Sequence, residues 1–384
     1  MPRVAIRPSR DLALLLRQRR KELNLTLREA EEKSRAYGKV IPFSTLGKVE
    51  QGRVDPGVIR FQQLLDIYDI PKEVALDVVA LEALRGEAPR KGEPQHLYDE
   101  AMRLWKAGEI GPALGHMHAL REAVADRPQL TALRQKAQLH FAVVVGGLGR
   151  FNLSKYLIEQ LLREPLPDDL LLRSFIQLAV SWQRLGVPEL ALAMLDRAET
   201  LARDTGPSEA GMVEHERGQI EFARESYAAA REHLREARKH YRTAKDPRGT
   251  FKVDFALTRI HLRLGEAKEG LQLAQQVARA AEPYPALRPS AVVLVGHAQL
   301  ASGAVEQAIT TLRSGLSAAV EADDPTGRYL AHHYLALAYG EAGDHARAAM
   351  EQHAADQFKK SVDFAPDPLV PAGGKRRPRK RARA

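Results

Sequence analysis

Residues 26–52 decide how the amino-terminal part of the chain folds: TLREAEEKSRAYGKVIPFSTLGKVEQG. A first short helix is predicted at the start of this stretch. Thr26 can cap this helix, and Glu29, three residues later, completes a capping box. Leu27 and Ala30 are three residues apart and would face the interior of a helical bundle.

A turn and a second short helix follow the first. Gly38 and Pro42 are typical of the turn. Leu46 and Val49 have the three-residue spacing of inward positions, and Gly52 stands where a glycine commonly ends a helix. The whole stretch is thus predicted to form a helix, a turn and a second helix.

The exposed face of the second helix is predicted to contact DNA. Its side chains are short and polar or cationic, as is typical of residues that read base edges in a major groove: Ser44, Thr45, Lys48 and Gln51. Phe43 is a further candidate, because the start of the helix lies between Pro42 and Ser44. Three nearby cations are predicted to approach the phosphate backbone: Arg28, Lys39 and Arg53.

At these residues the chain resembles the helix-turn-helix domains of the lambda repressor and Cro type, the XRE family. The matching segments are TLRE at 26–29 and STLGKVEQG at 44–52, between a preceding helix, LLLRQRRKELNL, and a following one, VIRFQQLLDIYDIP. The resemblance covers roughly residues 11–71 and implies sequence-specific binding to double-stranded DNA. The segment 35–42 is longer than the usual tight turn of the family.

The helix before this stretch is rich in cations, and Asp11 can cap it. Four cations are predicted on its solvent side: Arg17, Arg19, Arg20 and Lys21. The helix-turn-helix domain is predicted to span residues 11–85, after a flexible basic lead-in at 1–10. Residues 86–95 are predicted to be a linker, because four of the nine residues from Gly86 to Pro94 are Gly or Pro.

From residue 96 to residue 364 the chain repeats a pattern. A glycine ends the first helix of each predicted pair, except in the fourth pair, where Arg224 holds the place: Gly108, Gly149, Gly186, Gly265, Gly303 and Gly343. Five residues later stands a small residue in every pair: Ala113, Ser154, Ala191, Ala229, Gly270, Ala308 and Ala348. A small side chain at this position lets the two helices of a pair cross closely.

The pattern resembles the tetratricopeptide repeat. The matching segments include WKAGE at 105–109, WQRLG at 182–186, HLRLGE at 261–266 and ALAYGEAGDHARA at 336–348. The resemblance implies an α-solenoid of about seven helical hairpins, with a concave surface that suits a peptide or protein segment. A series of unrelated amphipathic hairpins is the alternative.

Polar side chains recur before the glycines and are candidates for lining an effector groove: His140, Gln177, His215, Arg259, His297 and His333. The alternative for each is a solvated helix residue. Repeats of this type fused to such a helix-turn-helix resemble regulators that sense signalling peptides, which generally clamp the peptide backbone with Asn side chains. This chain has only Asn24 and Asn152. A protein or small-molecule effector, or self-association of the repeats, therefore stays open beside a peptide.

The composition favours an all-α protein. Hydrophobic residues make up 44% of the 384 residues but aromatic residues only 6%, and β-branched runs are scarce. The absence of Cys excludes disulfides and thiolate metal sites and fits a cytoplasmic location. No apolar run is long enough to predict a membrane span.

Positive charge is concentrated at the two ends of the chain. Residues 1–91 hold 18 basic and 13 acidic residues, and residues 372–384 hold seven basic and no acidic ones. Because the net charge is +9, the middle of the chain is slightly acidic. A polyanion is the natural partner of the ends. Residues 365–384 are predicted to be a disordered tail that follows DNA phosphates; a solvated tail without a partner is the alternative.

Together these patterns predict a sequence-specific transcription regulator that acts at the nucleoid. Its repeats would form a homodimer, sense an effector, or both. The competing hypothesis is an interaction scaffold whose amino-terminal bundle docks a protein instead of DNA. No catalytic motif is present, so neither an enzyme nor a cofactor or metal site is predicted.

Overall fold

The computed structural model describes residues 10–87, 89, 92–125 and 127–358. These residues form helices joined by turns, with no strand among them. They divide into two compact units, one up to Val187 and one from Pro188. Most of the lead-in predicted at 1–10, and the whole of the tail predicted at 365–384, lie outside the described residues.

The described part of the first unit holds ten α-helices and two short 3₁₀ turns, at Arg35–Tyr37 and Pro128–Leu130. The helices are α1 (Arg10–Glu22), α2 (Leu27–Ser34), α3 (Phe43–Glu50), α4 (Gly57–Tyr68), α5 (Lys72–Glu82), α6 (Pro94–Ala107), α7 (Ile110–Val124), α8 (Thr131–Gly147), α9 (Phe151–Leu161) and α10 (Asp168–Arg184).

The described part of the second unit holds nine α-helices. They are α11 (Pro188–Thr205), α12 (Pro207–Ala223), α13 (Tyr227–Thr243), α14 (Pro247–Arg263), α15 (Ala267–Ala281), α16 (Arg288–Ala301), α17 (Val305–Glu321), α18 (Pro325–Glu341) and α19 (His345–Phe358). Helices α6–α19 match the seven predicted hairpins in number and order.

Helices α1–α5 enclose a core of apolar side chains. The inward positions predicted from the sequence are buried: Ala30 and Leu46 are 0% exposed and Val49 is 4% exposed. The predicted capping box is also present, since the Thr26 hydroxyl accepts from the Glu29 amide and the Glu29 carboxylate accepts from the Thr26 amide. The spacing of residues in the sequence therefore predicted the inward positions and the capping box of this bundle correctly.

Helix α1 departs from the sequence prediction in two ways. Asp11 lies inside its first described turn, and the Asp11 carboxylate pairs with His118 and Arg85. Two of the four cations predicted on its solvent side are largely covered, because the side chains of Arg19 and Arg20 are 3% and 13% exposed. Arg19 is covered because its guanidinium donates to the Tyr68 carbonyl oxygen at 3.1 Å and to other distant partners.

Left-handed turns separate the two helices of each hairpin. The six predicted glycines have positive φ between 75° and 84°. In the fourth hairpin the left-handed residue is Glu225, with φ of 62°, whereas Arg224 has φ of −79°. The prediction at Arg224 is therefore wrong by one residue, because a non-glycine residue occupies the left-handed position there.

The same shift corrects the small residue of the fourth hairpin. Five residues after Glu225 stands Ala230, which is 0% exposed, whereas Ala229 is partly exposed. In three of the other hairpins, each within one unit, the small residue is also completely buried: Ala113, Ser154 and Ala308. Burial of small side chains at this position agrees with close crossing of the paired helices.

Candidate nucleic-acid interface and its junction with the repeats

The predicted recognition helix, α3, begins at Phe43, within the range that the sequence left open. The amides of Thr45 and Leu46 donate to the Pro42 carbonyl oxygen at 2.8 and 3.0 Å. The Phe43 amide donates to the carboxylate of Glu31 on α2 at 3.0 Å. A side chain of the preceding helix thus caps the recognition helix and fixes its start, a role that the sequence analysis missed.

Glu50, near the end of α3, holds this helix against its neighbours. Its carboxylate accepts from the Arg20 guanidinium at 2.8 and 2.9 Å and from the Tyr68 hydroxyl at 2.7 Å. The hydrogen bond with Glu50 raises the pKa of Arg20. Burial, together with the nearby Glu50 charge, raises the pKa of Tyr68. The glutamate of the E-x-G segment is therefore buried and holds α3 against α1 and α4.

The predicted DNA-contacting residues lie on and around α3. Most of them are exposed: Arg28, Lys39, Phe43, Ser44, Lys48, Gln51 and Arg53. Thr45 is half-buried. The Arg28 guanidinium lies 5.8 Å from the centre of the Phe43 ring, which joins α2 to the start of α3. The structure thus presents a helix with short polar groups and flanking cations to solvent, as major-groove recognition requires.

The helix-turn-helix bundle packs on the first repeat helices of the same unit. Asp11 of α1 is hydrogen-bonded to His118 of α7 and forms an ion pair of 2.6 Å with Arg85. Burial alone would raise the pKa of Asp11, but His118, Arg85 and Arg121 more than offset this effect and lower it. These residues line a cavity of about 20 Å³ together with apolar side chains of α5, α8 and α9.

Further side chains join the bundle to α7 and α9. Arg121 of α7 donates to the Gln18 side chain of α1 at 2.9 Å. Arg19 of α1 donates to the Gln160 side chain of α9 at 3.2 Å. The Leu153 amide, at the start of α9, donates to the carboxylate of Asp77 at 3.1 Å. The contacts use α1 and α5, and α3 contributes to none of the hydrogen bonds described here.

The beginning of the predicted linker also contacts the repeats. The Gly86 amide donates to the Gly111 carbonyl oxygen at 2.9 Å. A Cβ atom on Gly115 would lie 2.8 Å from the Glu87 carbonyl oxygen, so the chain passes α7 at a distance that only glycine permits. The domain limits at 85 and 95 stay a prediction.

Two of the effector-groove candidates lie in the first unit. His140 is half-buried, and its Nδ1 atom lies 2.8 Å from the Tyr98 hydroxyl. Burial, with Arg173, Lys136 and Lys106 acting in the same direction, lowers the pKa of His140 to about 4. Gln177 is buried and donates to the Ser154 hydroxyl at 2.9 Å, so it links α10 to α9.

The other four candidates lie in the second unit and differ in exposure. His215 and His297 are 9% and 1% exposed, and the His297 ring stacks on Tyr334 with centres 4.2 Å apart. Arg259 is half-buried and lies over the Phe222 ring at 4.5 Å. His333 is half-buried, and burial lowers its pKa. The assignment of these residues to an effector groove stays a prediction.

Two structural properties bear on other classes of site. Within the described ranges, no group of three or more His, Asp or Glu side chains is arranged to hold a metal ion. Among the same residues, no helix combines the length and apolarity needed to cross a membrane.

A family model described as helix-turn-helix matches residues 16–74. The match spans α2, α3 and α4 and part of α1 and α5. The amino-terminal bundle is thus a helix-turn-helix domain of the XRE type. No curated protein matches the chain.

Solved structures with a similar fold share little sequence with the chain. A Rap protein complexed with competence and sporulation factor is 12% identical, with a TM-score of 0.53 over 70% of this chain and 77% of that one. Aspartyl phosphate phosphatase F from Bacillus subtilis is 13% identical, with a TM-score of 0.52 over 94% and 96%. A signal transduction ATPase with a tetratricopeptide repeat sensor, from Pyrococcus horikoshii, is 13% identical, with a TM-score of 0.53 over 85% and 50%.

These likenesses establish the fold of the repeats. The chain combines a helix-turn-helix domain with an α-solenoid of tetratricopeptide-like hairpins.

Proposed function

We propose that the chain is a sequence-specific DNA-binding transcription regulator that acts at the nucleoid under the control of an effector bound by its repeats. The observation that carries this proposal is the recognition helix α3. Its inward side chains are buried and its start and end are fixed by Glu31 and Glu50, while its polar face is exposed. A rigid helix with exposed donors and acceptors is suited to reading base edges.

Base readout is assigned to Ser44, Thr45 and Lys48, with Phe43 and Gln51 at the two ends of the helix. The start of α3 at Phe43 supports this assignment, because the first turn of a recognition helix enters the major groove. The flanking cations Arg28, Lys39 and Arg53 are assigned to phosphates, where they supply affinity that does not depend on sequence.

The regulator acts as a homodimer in this proposal. One short recognition helix makes few base contacts, and two half-sites a helical turn apart are the usual way to reach useful affinity. In this proposal the two copies associate through their repeats. Analytical ultracentrifugation of the full chain tests the dimer.

Control by an effector follows from the packing of the DNA-binding domain on the repeats. Because α1 and α5 contact α7 and α9, a ligand that shifts these repeat helices also moves the helix-turn-helix domain. The fold supports this role, since similar folds occur in a protein complexed with competence and sporulation factor and in a protein with a repeat sensor.

A selection from a random double-stranded DNA library tests the proposal. The full chain is expected to enrich one motif with two inverted half-sites. Enrichment without a shared motif would favour the scaffold hypothesis, in which the amino-terminal bundle docks a protein.

A further inference from the structure

A cluster of cationic and polar side chains lies on α6, α8 and α10, outside both the DNA-contacting face and the junction. Each of these is the first helix of a predicted hairpin, and Tyr98, His140 and Arg173 come from one helix each. The Tyr98 hydroxyl and the His140 Nδ1 atom are 2.8 Å apart. The Nζ atom of Lys136, one turn before His140, lies 4.9 Å from the centre of the Tyr98 ring.

Positive charge converges on the His140 ring. Burial lowers the pKa of His140 and favours its neutral imidazole. The positive charges of Arg173, Lys136 and Lys106 shift the pKa in the same direction. Lys136 and Arg173 are exposed, so a ligand can reach them from solvent. A neutral imidazole among several cations is an arrangement that an added anion would stabilise.

A small apolar depression adjoins the cluster. Beside Tyr98 and His140 is a small depression with apolar walls formed by Met102, Met117 and Ala137. Burial, and then the charge of the nearby Asp99 carboxylate, raises the pKa of Tyr98. The same carboxylate accepts a hydrogen bond from the Gln95 side chain at 3.0 Å. Tyr98 and His140 line this depression, and Lys136 stands one turn before His140 on the same helix. A few polar groups beside an apolar pocket are typical of a site that fixes one charged end of a ligand.

We propose that Lys136, His140 and Arg173, with the Tyr98 hydroxyl, form a subsite for an anionic oxygen group of the effector, a carboxylate or a phosphate. This inference rests on the proposed function and specifies the chemistry of its ligand. Charge-assisted hydrogen bonds from Lys and Arg to oxyanions are the strongest contacts that such a site offers.

The subsite is linked to the DNA-binding domain by two side chains. Phe141 follows His140 directly, and the Arg121 guanidinium lies 4.7 Å from the centre of the Phe141 ring. Arg121 in turn donates to Gln18 of α1. A shift of α8 on anion binding would therefore reach α1 through Phe141 and Arg121.

The test compares three probes on the immobilised full chain: random heptapeptides with a free carboxyl terminus, the same peptides with an amidated terminus, and inorganic pyrophosphate. Peptides that are retained are identified by mass spectrometry, and pyrophosphate binding is measured by calorimetry. The variant is Lys136→Gln with Arg173→Gln. The matched control is Lys268→Gln with Arg279→Gln, which removes the same charges from exposed positions on α15.

The wild type and the control are expected to retain acidic or free-carboxyl peptides, and the variant to bind them at least about tenfold more weakly. If the variant no longer binds amidated acidic peptides, the site binds side-chain carboxylates. If the variant loses only the peptides with a free carboxyl terminus, the site binds a chain terminus. Binding of pyrophosphate alone, lost in the variant, would assign it to phosphate. The proposal is overturned if the variant binds every probe like the wild type, or if the wild type prefers no anion. Selection of DNA by the variant is measured separately, so failure of the subsite proposal can be distinguished from failure of the regulator proposal.

Discussion

Asp11 of α1, the first helix of the helix-turn-helix domain, is hydrogen-bonded to His118 of the repeat helix α7, 107 residues away in the chain. The same carboxylate pairs with Arg85 at the end of the helix-turn-helix domain. One half-buried acid thus joins three segments, and it connects the helix-turn-helix domain to the helices that we assign to effector control.

Replacing Asp11 is expected to loosen the domain from α7 without unfolding it. Asp11→Ala leaves Arg85 and His118 without their shared partner, which costs about 1–3 kcal/mol. Hydrogen exchange of residues 10–22 and 110–124 is expected to accelerate, while that of α3 stays unchanged. Asp66→Ala, at an exposed position on α4, serves as the control. Unchanged exchange in the Asp11 variant would show that the ion pair does not hold the junction.

Replacing Glu50 is expected to destabilise the helix-turn-helix domain itself. Glu50→Gln leaves the guanidinium of Arg20 largely buried without its counter-charge, and breaking such a pair costs about 3–5 kcal/mol. Urea denaturation followed by circular dichroism measures the change. Glu32→Gln, at an exposed position on α2, is expected to have little effect. Equal stability of the two variants would argue against a positioning role for Glu50.

The ionisation of His140 provides a pH-dependent prediction. Its pKa is lowered from 6.5 to about 4, first by burial and then by Arg173, Lys136 and Lys106. The unfolded chain therefore takes up a proton between these two values that the folded chain does not. The contribution of neutral His140 to stability is complete above pH 6.5 and decreases as the pH falls toward 4.

A titration of histidine ring signals by NMR measures this pKa directly. The His140 signal, assigned with His140→Gln, is expected to titrate near pH 4. An anion in the proposed subsite would raise the pKa of His140. A His140 signal that titrates near 6.5 would contradict the described burial and charge environment.

The basic carboxyl-terminal segment provides a prediction from sequence alone. Deletion of residues 375–384 removes seven cations. Affinity for all DNA sequences is expected to fall alike, with a flatter dependence on salt, because phosphate contacts release counterions. Binding measured at several salt concentrations tests this expectation. A changed sequence preference would contradict the role of an electrostatic arm.

Local sequence patterns predicted much of the fold. The three-residue spacing of Leu46 and Val49 and the capping box at Thr26 depend on neighbours in the chain, and both predictions are confirmed. The six turn glycines were also predicted correctly, because a left-handed turn has a local signal in the sequence. Glu225 was missed, because a left-handed glutamate has no compositional signal and is maintained by the turn around it.

Long-range partners were the part that the sequence could not reveal. Arg19 was predicted to face solvent from its position on an amphipathic helix. It is buried because Tyr68, Asp69 and Gln160 provide acceptors from 49, 50 and 141 residues away. Asp11 was likewise predicted to cap a helix from its local position in the sequence alone. Its partners Arg85 and His118 become neighbours only once the bundle packs on α7.

The most direct test of the regulator proposal is the affinity of the full chain for its selected DNA, measured by fluorescence anisotropy. The comparison is between the wild type and a variant with substitutions on the exposed face of α3. Lys48→Ala with Thr45→Ala is expected to lose about 1–3 kcal/mol of binding free energy, a loss of roughly fivefold to 150-fold in affinity. Lys268→Ala with Thr310→Ala, at exposed positions outside the helix-turn-helix domain, is expected to bind like the wild type. Equal affinity of the α3 variant and the wild type would contradict the assignment of α3 as the DNA-reading helix.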